Sequence, residues 1–236
     1  METLPVKTCW YCRQAAGADS LCAECGRLQP LERDADYFRI FRLERKLSLD
    51  AAALEPKFHE FARRFHPDHY RMGLPRERLI ALENASRLNQ AYRTLRDPFD
   101  RSAYLLELEE GRGLDGKDSP PQELFEEILE VQELLDEYAA VGEAGGTPAF
   151  PGGVEEAGGA ALRPVLEERR IALQKAQDDR ARRLTGDVFA AWDRLPDGDP
   201  GGLARAEVLR SIRRILGERA YLRRVLHRLR EALGEA

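Results

Sequence analysis

Residues 61–68 read Phe-Ala-Arg-Arg-Phe-His-Pro-Asp, and this octapeptide marks the end of an amphipathic helix. The apolar residues that lead into it recur at helical spacing; they are Leu54, Phe58, Phe61 and Phe65. The opposite face is basic and carries Lys57, Arg63 and Arg64. Pro67 biases His66 away from helical dihedral angles and has no N–H to continue the helix, so we predict that the helix ends at His66-Pro67-Asp68.

Pro56 complicates the first half of this helix. It lies only a few residues after the expected start near Ala51, at a point where proline removes a hydrogen bond and tends to kink a helix. Either the helix begins later than Ala51 or its first turn is distorted. The choice affects the placement of Lys57 and leaves Arg63 and Arg64 unaffected.

A second helix is predicted from about Glu77 to Leu95, and it stops at Asp97-Pro98. Its apolar face is a set of five residues at helical spacing: Ala81, Ala85, Leu88, Tyr92 and Leu95. The two helices form an antiparallel pair. The loop between them carries an exposed His-Pro-Asp beside a basic stripe.

All four cysteines of the chain lie near its beginning, in a C-x2-C-x9-C-x2-C arrangement: Cys9, Cys12, Cys22 and Cys25. This spacing is typical of a tetrahedral structural zinc site, although iron or an iron–sulfur cluster also takes four thiolates. Disulfides and a redox C-x2-C are the alternatives, but no βαβ context is visible and a reducing compartment disfavours disulfides. Because so short a segment cannot bury its own core, we expect metal binding to supply its folding energy.

Composition excludes several classes of protein. The chain has 236 residues, a net charge of −5 and a pI near 5.6, which argues against general nucleic-acid binding. It has no apolar run of about 18 residues, so we expect no membrane span. Its first ten residues lack the apolar core of a secretory signal, so we expect a cytoplasmic protein. Residues 107–137 are strongly acidic, which indicates either a solvated helix face or a docking surface for a basic partner.

The C-terminal half is predicted to be helical as well. Its helices cover Gln122–Tyr138, Arg163–Leu184 and Leu203–Leu233, separated by a flexible Gly-rich insert over 141–161 and a turn over 196–202. No segment shows the alternation of a β-strand. The predicted fold class is therefore all-α.

Three segments together resemble a J-domain: 36–41 (Asp-Tyr-Phe-Arg-Ile-Phe), 61–68, and 88–95 (Leu-Asn-Gln-Ala-Tyr-Arg-Thr-Leu). The continuation over 97–106, Asp-Pro-Phe-Asp-Arg-Ser-Ala-Tyr-Leu-Leu, resembles the iron–sulfur co-chaperone family of HscB and its mitochondrial relatives. Some members of that family also begin with a tetracysteine motif Cys-Trp-x-Cys, as residues 9–12 do here. The resemblance divides the chain into three parts, which are a tetracysteine zinc-binding module (1–30), a J-domain helical hairpin (35–108) and a C-terminal three-helix bundle (119–236).

The resemblance implies a role for the loop. In J-proteins the His-Pro-Asp turn and the basic helix before it dock on an ATP-bound HscA/DnaK-type chaperone and stimulate ATP hydrolysis. The positions that match this role are His66, Pro67, Asp68, Arg63, Arg64 and Lys57. The alternative is structural: Asp68 caps the following turn, and His66 only ends a helix.

The resemblance also implies a second binding face. In the family, the C-terminal bundle binds the IscU-type scaffold on which iron–sulfur clusters are assembled. The matching positions are Phe125, Leu129, Glu130 and Glu133 on the first bundle helix and Tyr221 on the last. The alternative places Phe125 and Leu129 in the core, beside a core stripe of Leu124, Ile128, Val131, Leu135 and Tyr138.

These features favour a co-chaperone without a catalytic site of its own, since no nucleophile–base pair or Gly-rich phosphate loop is visible. It would deliver a cluster scaffold to an ATP-driven chaperone. Two other functions stay open. One is a J-protein for other clients, and the other uses the tetracysteine module as a thiol site or as a zinc ribbon.

Overall fold

The computed structural model describes residues 8–17, 20–114, 122–144, 154–196 and 202–235. Within these ranges the chain is helical, and its β-type pairing is limited to two isolated bridges, Thr8–Ala15 and Leu21–Leu28. Among the same residues, no helix combines the length and the apolarity that a membrane crossing requires. The all-α prediction is confirmed.

The helices follow one another as α1 (Tyr37–Ile40), α2 (Ala51–Phe65), α3 (Pro75–Arg96), α4 (Pro98–Glu110), α5 (Gln122–Ala144), α6 (Val154–Arg183), α7 (Phe189–Asp193) and α8 (Leu203–Leu233). A 3₁₀ turn, Pro67–Tyr70, follows α2, and a π-helical turn, Leu184–Val188, joins α6 to α7. The chain divides into two compact units, Met1–Tyr104 and Leu105–Ala236, and the boundary falls inside α4.

In the first unit, α2 and α3 pack as a hairpin. The rings of Phe58 and Tyr92 stack at 4.1 Å between centroids, and Phe61 and Phe65 are buried. Asp50 starts α2 by accepting a hydrogen bond from the amide of Ala52 at 2.8 Å. The face of α2 that the sequence marks as apolar is therefore the face that the core covers.

Pro56 lies inside α2, which still begins at Ala51. The first of the two alternatives, a later start, is therefore wrong. Lys57 follows on the next position and is half-buried, with its Nζ 3.4 Å from the carbonyl of Phe41. Pro56 is the sixth residue of α2, so it removes the hydrogen bond to the carbonyl of Ala52, and the helix continues past that missing bond.

The Asp-Pro segment after α3 starts α4. Asp97 accepts hydrogen bonds from the amides of Phe99 and Asp100 at 2.8 and 2.9 Å, and Pro98 occupies the first helical position. Six residues on, Tyr104 stacks on Tyr37 at 4.2 Å and accepts a hydrogen bond from its amide. The segment that resembles the HscB family thus packs against α1 through Tyr104, the last residue of the first unit.

In the second unit, α5, α6 and α8 form the predicted three-helix bundle. Their shared core is apolar: Leu124, Ile128, Val131, Leu135, Leu166, Leu173, Leu222, Val225, Leu226, Leu229 and Leu233. Arg163 donates to the carbonyl of Leu233, whereas Arg180 pairs with Glu218 at 2.5 Å. A later residue of α6 thus contacts an earlier residue of α8, which means that the two helices are antiparallel.

Two predictions in this half are corrected. Residues 141–144 belong to α5 and 154–161 to α6, so the flexible insert predicted over 141–161 is wrong at both ends, and residues 145–153 lie outside the described part of the chain. The helix propensity of alanine and glutamate outweighs glycine in both segments. The helix predicted to end near Leu184 continues through the π turn into α7, because Phe189 and Trp192 are buried there.

Candidate functional site

The His-Pro-Asp turn lies on the surface at the point where the chain leaves α2. His66 has extended dihedral angles, and its Nδ1 accepts a hydrogen bond from the amide of Asp68 at 3.3 Å. The side chains of His66 and Asp68 are exposed, and the Asp68 carboxylate lies 3.7 Å from the His66 ring. The His66 ring, not the Asp68 carboxylate, caps the 3₁₀ turn, and the carboxylate stays exposed at the surface.

The three basic residues predicted on α2 differ in how freely they can meet a partner. Arg63 is exposed, and no contact is recorded for its guanidinium within the described part of the chain. Arg64 is half-buried and pairs with Glu60 at 3.2 Å, while Lys57 points to the carbonyl of Phe41. Glu60 therefore weakens the predicted basic stripe, and of its three residues only Arg63 is exposed.

The loop after the turn contains residues that the sequence did not single out. Tyr70 donates a hydrogen bond to the carbonyl of Arg64 at 2.9 Å, which ties the 3₁₀ turn to the end of α2. Burial and the nearby Glu77 carboxylate raise the pKa of the Tyr70 hydroxyl, so it stays a neutral donor. Met72 is 99% exposed at the tip of this loop. A side chain in a loop gives no periodic signal, which is why only the structure identifies these residues.

The four cysteines come together at one point. Their sulfur atoms lie within 4.8 Å of one another, with Cys9–Cys25 at 3.7 Å and Cys12–Cys22 at 3.8 Å. All four are free thiols, and these separations are far beyond a disulfide bond. Four thiolates around zinc at about 2.3 Å have sulfur–sulfur separations of about 3.8 Å, so the cluster fits a tetrahedral metal ion.

Two equivalent knuckles build this cluster, thirteen positions apart. In each, the amide of the first cysteine donates to the carbonyl five residues on: Cys9 to Gln14 at 2.8 Å and Cys22 to Arg27 at 2.9 Å. In each, the residue after the second cysteine is left-handed, with φ of 65° at Arg13 and 68° at Gly26. Glycine adopts this conformation without strain and arginine does not.

The thiols of the metal-free cluster do not titrate alike. Burial raises the pKa of Cys9, but hydrogen bonds from neighbouring amides and thiols outweigh it and lower the pKa to about 6. At Cys12 the amide of Gln14 acts to lower the pKa, but burial and the other thiols raise it to about 12. Because metal ligands must be deprotonated, binding at neutral pH displaces the Cys12 proton, and acid favours metal loss.

The tetracysteine module is attached to α3 by buried polar groups spaced along one face of that helix. Asn84 is 1% exposed; it donates to the carbonyl of Gln29 and accepts from the amide of Leu31, both at 2.9 Å. Arg87 donates to the carbonyls of Glu32 and Ala35 at 2.7 and 3.0 Å. The Asn84 bonds satisfy backbone groups that are shielded from water, and the Arg87 bonds hold the segment that follows the module at the half-exposed edge of this contact.

On the C-terminal bundle, Phe125 and Leu129 do not belong to the core. They are 49% and 41% exposed, next to the buried stripe of Leu124, Ile128 and Val131. The alternative that placed Phe125 and Leu129 inside is therefore wrong. Two large apolar side chains one helical turn apart on an exposed face are available to a partner.

The other three residues predicted for this patch differ in their exposure and in the helices that they contact. Glu130 pairs with Arg169 of α6 at 3.3 Å, so it lies toward a different helix from Tyr221. Glu133 is exposed. Tyr221 is half-buried against the bundle core, and Arg224 covers its ring at 4.4 Å.

Comparisons with known proteins point to one family, although no family model matches the chain. A Vibrio vulnificus co-chaperone protein HscB homolog is 32% identical over 152 residues, which cover 63% of this chain and 88% of the relative. An Arabidopsis thaliana iron–sulfur cluster co-chaperone protein HscB homolog is 32% identical over 129 residues. That match covers 55% of this chain and only about half, 51%, of the plant relative.

Solved structures agree on the fold. The crystal structure of the human co-chaperone protein HscB has a TM-score of 0.67 and 20% identity, over 95% of this chain and 98% of the human one. The chaperone HscB from Vibrio cholerae has a TM-score of 0.52 and 24% identity, over 83% and 96%. With its fold, its His-Pro-Asp turn and its sequence matches, the chain belongs to the HscB co-chaperone family.

Proposed function

We propose that this chain is a co-chaperone of iron–sulfur cluster biogenesis in the cytoplasm. Its His66-Pro67-Asp68 turn stimulates the ATPase of an HscA/DnaK-type chaperone, and its C-terminal bundle delivers an IscU-type scaffold to that chaperone. ATP is hydrolysed by the chaperone, so this chain is not itself an enzyme. The four free cysteines suit a reducing compartment.

The observation that carries the proposal is the exposed carboxylate of Asp68. The turn is held by the His66 ring and by Tyr70, so the fold does not use the carboxylate. The exposed Asp68 carboxylate lies 3.7 Å from the His66 ring, and Arg63 is exposed in the last turn of α2, so this region offers a partner both signs of charge. Such charges steer encounter and fix the register of a complex.

The bundle supports the second half of the proposal through the register of its helices. The short connection between α5 and α6 makes them antiparallel, so α5 and α8 run parallel. Arg228 of α8 lies 3.6 Å from Asp136 of α5. Two helical turns earlier in each helix are Leu129 and Tyr221, on the same faces as that ion pair. This register supports a common binding surface for Leu129 and Tyr221, with Phe125 one turn before Leu129.

We assign zinc to the cysteine cluster, held by Cys9, Cys12, Cys22 and Cys25. Four sulfur ligands leave no open coordination position, so the metal supplies folding energy and no catalysis. Gln29 donates a hydrogen bond to the Cys9 sulfur at 3.3 Å, as does the amide of Tyr11 at 3.4 Å. Such donors stabilise a ligating thiolate.

Titration of the purified chain into a DnaK-type chaperone, with and without an IscU-type scaffold, tests the proposal. We expect stimulation of ATP hydrolysis by the chain alone and synergistic stimulation when the scaffold is present, because one molecule then presents both turn and client. Additive stimulation would assign the J-domain to another client. No stimulation in either arm would refute the co-chaperone role.

Removing the apolar patch should separate the two binding faces. We expect Phe125→Ala combined with Leu129→Ala to weaken scaffold binding by at least about ten-fold, because apolar anchors at an interface cost more than about 1 kcal/mol each when truncated. Stimulation of the ATPase without scaffold should not change. Isothermal titration with the scaffold measures the first effect, and a steady-state ATPase assay measures the second.

Ile171→Ala is a matched control for this double variant. Ile171 is 59% exposed on α6, so its truncation removes a comparable exposed apolar side chain from a different helix of the bundle. It should leave scaffold affinity unchanged. If the double variant keeps its affinity, or if Ile171→Ala loses as much, the patch of Phe125 and Leu129 is not the scaffold site.

A further inference from the structure

We infer that the tetracysteine module braces the His-Pro-Asp loop through an ion pair between Arg27 and Glu77, so that metal binding at the cysteines tunes the loop's affinity for the chaperone. The inference rests on the proposed role of the loop. It assigns Glu77 as a positioning residue and Arg27 as its link to the metal cluster.

The link begins at a metal-ligand residue. The amide of Cys22 donates to the carbonyl of Arg27 at 2.9 Å, and the amide of Gly26 donates to the carbonyl of Cys22 at the same distance. The position of the Arg27 backbone therefore depends on the second knuckle. A metal ion bound to both cysteines of the knuckle holds Arg27 in one place, while without the metal only these backbone hydrogen bonds hold it.

Glu77 receives this link on α3. Its Oε2 lies 2.6 Å from Arg27 Nη1, and its Oε1 accepts the amide of Leu28 at 3.2 Å. Its side chain is only 7% exposed, so water screens the pair weakly. A buried carboxylate held by a guanidinium and an amide together has little freedom to move.

The same carboxylate is packed against the loop. A Cβ on Gly73 would lie 3.0 Å from Glu77 Oε2 and 3.1 Å from the carbonyl of Tyr70, so a larger residue here would fit only if Glu77 or the loop shifted by a few tenths of an ångström. Tyr70 in turn holds the carbonyl of Arg64 at the end of α2. Tyr70 therefore closes the span 64–70, which contains residues 66–68, and Glu77 packs against Gly73, three residues after Tyr70.

Two further contacts join the module to the elements on either side of the loop. Ser20 accepts a hydrogen bond from Arg64 of α2 at 3.4 Å. The guanidinium of Arg76, next to Glu77, lies 5.2 Å from the ring centroid of Trp10, which sits between the first two cysteines. The module thus contacts the end of α2 through Ser20 and the start of α3 through Trp10.

A braced loop binds its partner more tightly because less of its population is in an incompetent conformation. Loosening the brace should raise the concentration of this chain needed for half-maximal stimulation. It should leave the maximal stimulation at saturation unchanged, since His66, Pro67 and Asp68 are intact. Metal removal and loss of Arg27 should act on the same step, so their effects should not add.

Hydrogen exchange on the full zinc-loaded chain tests the brace directly. In Arg27→Ala we expect the amides of His69, Arg71 and Gly73 to exchange roughly ten-fold faster, since a hydrogen bond to a charged group is lost. Chelator-treated wild type should show the same change, and chelation of Arg27→Ala should add little. The half-maximal concentration in the ATPase assay should rise about three-fold or more. Arg27→Lys keeps the charge, so its increases in amide exchange and in half-maximal concentration should be smaller than those of Arg27→Ala.

Arg39→Ala is the matched control. It removes an exposed Arg–Glu pair between Arg39 and Glu32 without touching the loop, and its loop amides should exchange as in wild type. Unchanged exchange in Arg27→Ala that retains its zinc would overturn the inference, as would additive effects of chelation and mutation. If wild type itself fails to stimulate the chaperone, the proposed function fails, and the exchange data still decide whether the brace exists.

Discussion

Replacing Asp68 with asparagine is expected to abolish stimulation of the chaperone ATPase while the chain stays folded. The carboxylate is exposed and caps nothing, and the hydrogen bond that shapes the turn comes from the backbone amide of Asp68. The loss of one charged partner at an interface costs about 2 kcal/mol or more, which is a fall in affinity of over about thirty-fold. The free energy of unfolding should change by less than about 0.5 kcal/mol.

Asp34→Asn provides the comparison. Asp34 is exposed in the same unit, and its replacement by asparagine removes the same charge at a position away from the turn. A single-turnover ATPase assay, run beside thermal unfolding, separates function from stability. Asp68→Asn that stimulates as well as Asp34→Asn would return Asp68 to a structural role and remove the basis of the proposed function.

The second large effect is expected from Cys22→Ser. A serine hydroxyl does not replace a thiolate ligand, and structural zinc contributes on the order of 10 kcal/mol to the folding of small zinc-binding peptides. We expect the variant to lose its metal and residues 8–28 to become sensitive to proteases. The helices of both units should persist, because their cores do not involve the cysteines. Elemental analysis gives the metal content and identity, and limited proteolysis followed by mass spectrometry locates the unfolded part.

Ala23→Ser is the control for this substitution. It adds the same hydroxyl in the same knuckle, at an exposed position that supplies no ligand. It should keep one metal ion per chain and resist proteolysis like wild type. A Cys22→Ser chain with full metal content and a protected module would mean that the cluster does not hold the fold of residues 8–28.

Much of the fold could be predicted from sequence because its signals are local. The spacing of Leu54, Phe61 and Phe65 sets the buried face of α2, and Pro67 sets its end. The bounds of α8 agree with prediction because a turn-rich segment precedes it and Gly234 ends it in the left-handed conformation. The cysteine cluster follows from spacing alone.

The contacts that position the site could not be predicted because they join distant parts of the chain. Glu77, Asn84 and Arg87 read as ordinary polar residues of an exposed helix face. Their role depends on a partner segment some fifty residues away that has no regular structure of its own. Likewise, Phe125 fits the core pattern as well as the surface pattern, and only the packing of three helices decides between them.

The difference between Arg13 and Gly26 has a consequence for how the two cysteine pairs tolerate sequence change. Both positions require a left-handed backbone, which costs about 1–2 kcal/mol for a residue with a side chain. Position 13 already bears this cost, so glycine there would relieve it. At position 26 any side chain would add the cost to the knuckle that carries Arg27. Arg13→Gly should therefore stabilise the first cysteine pair, whereas any substitution of Gly26 should destabilise the second.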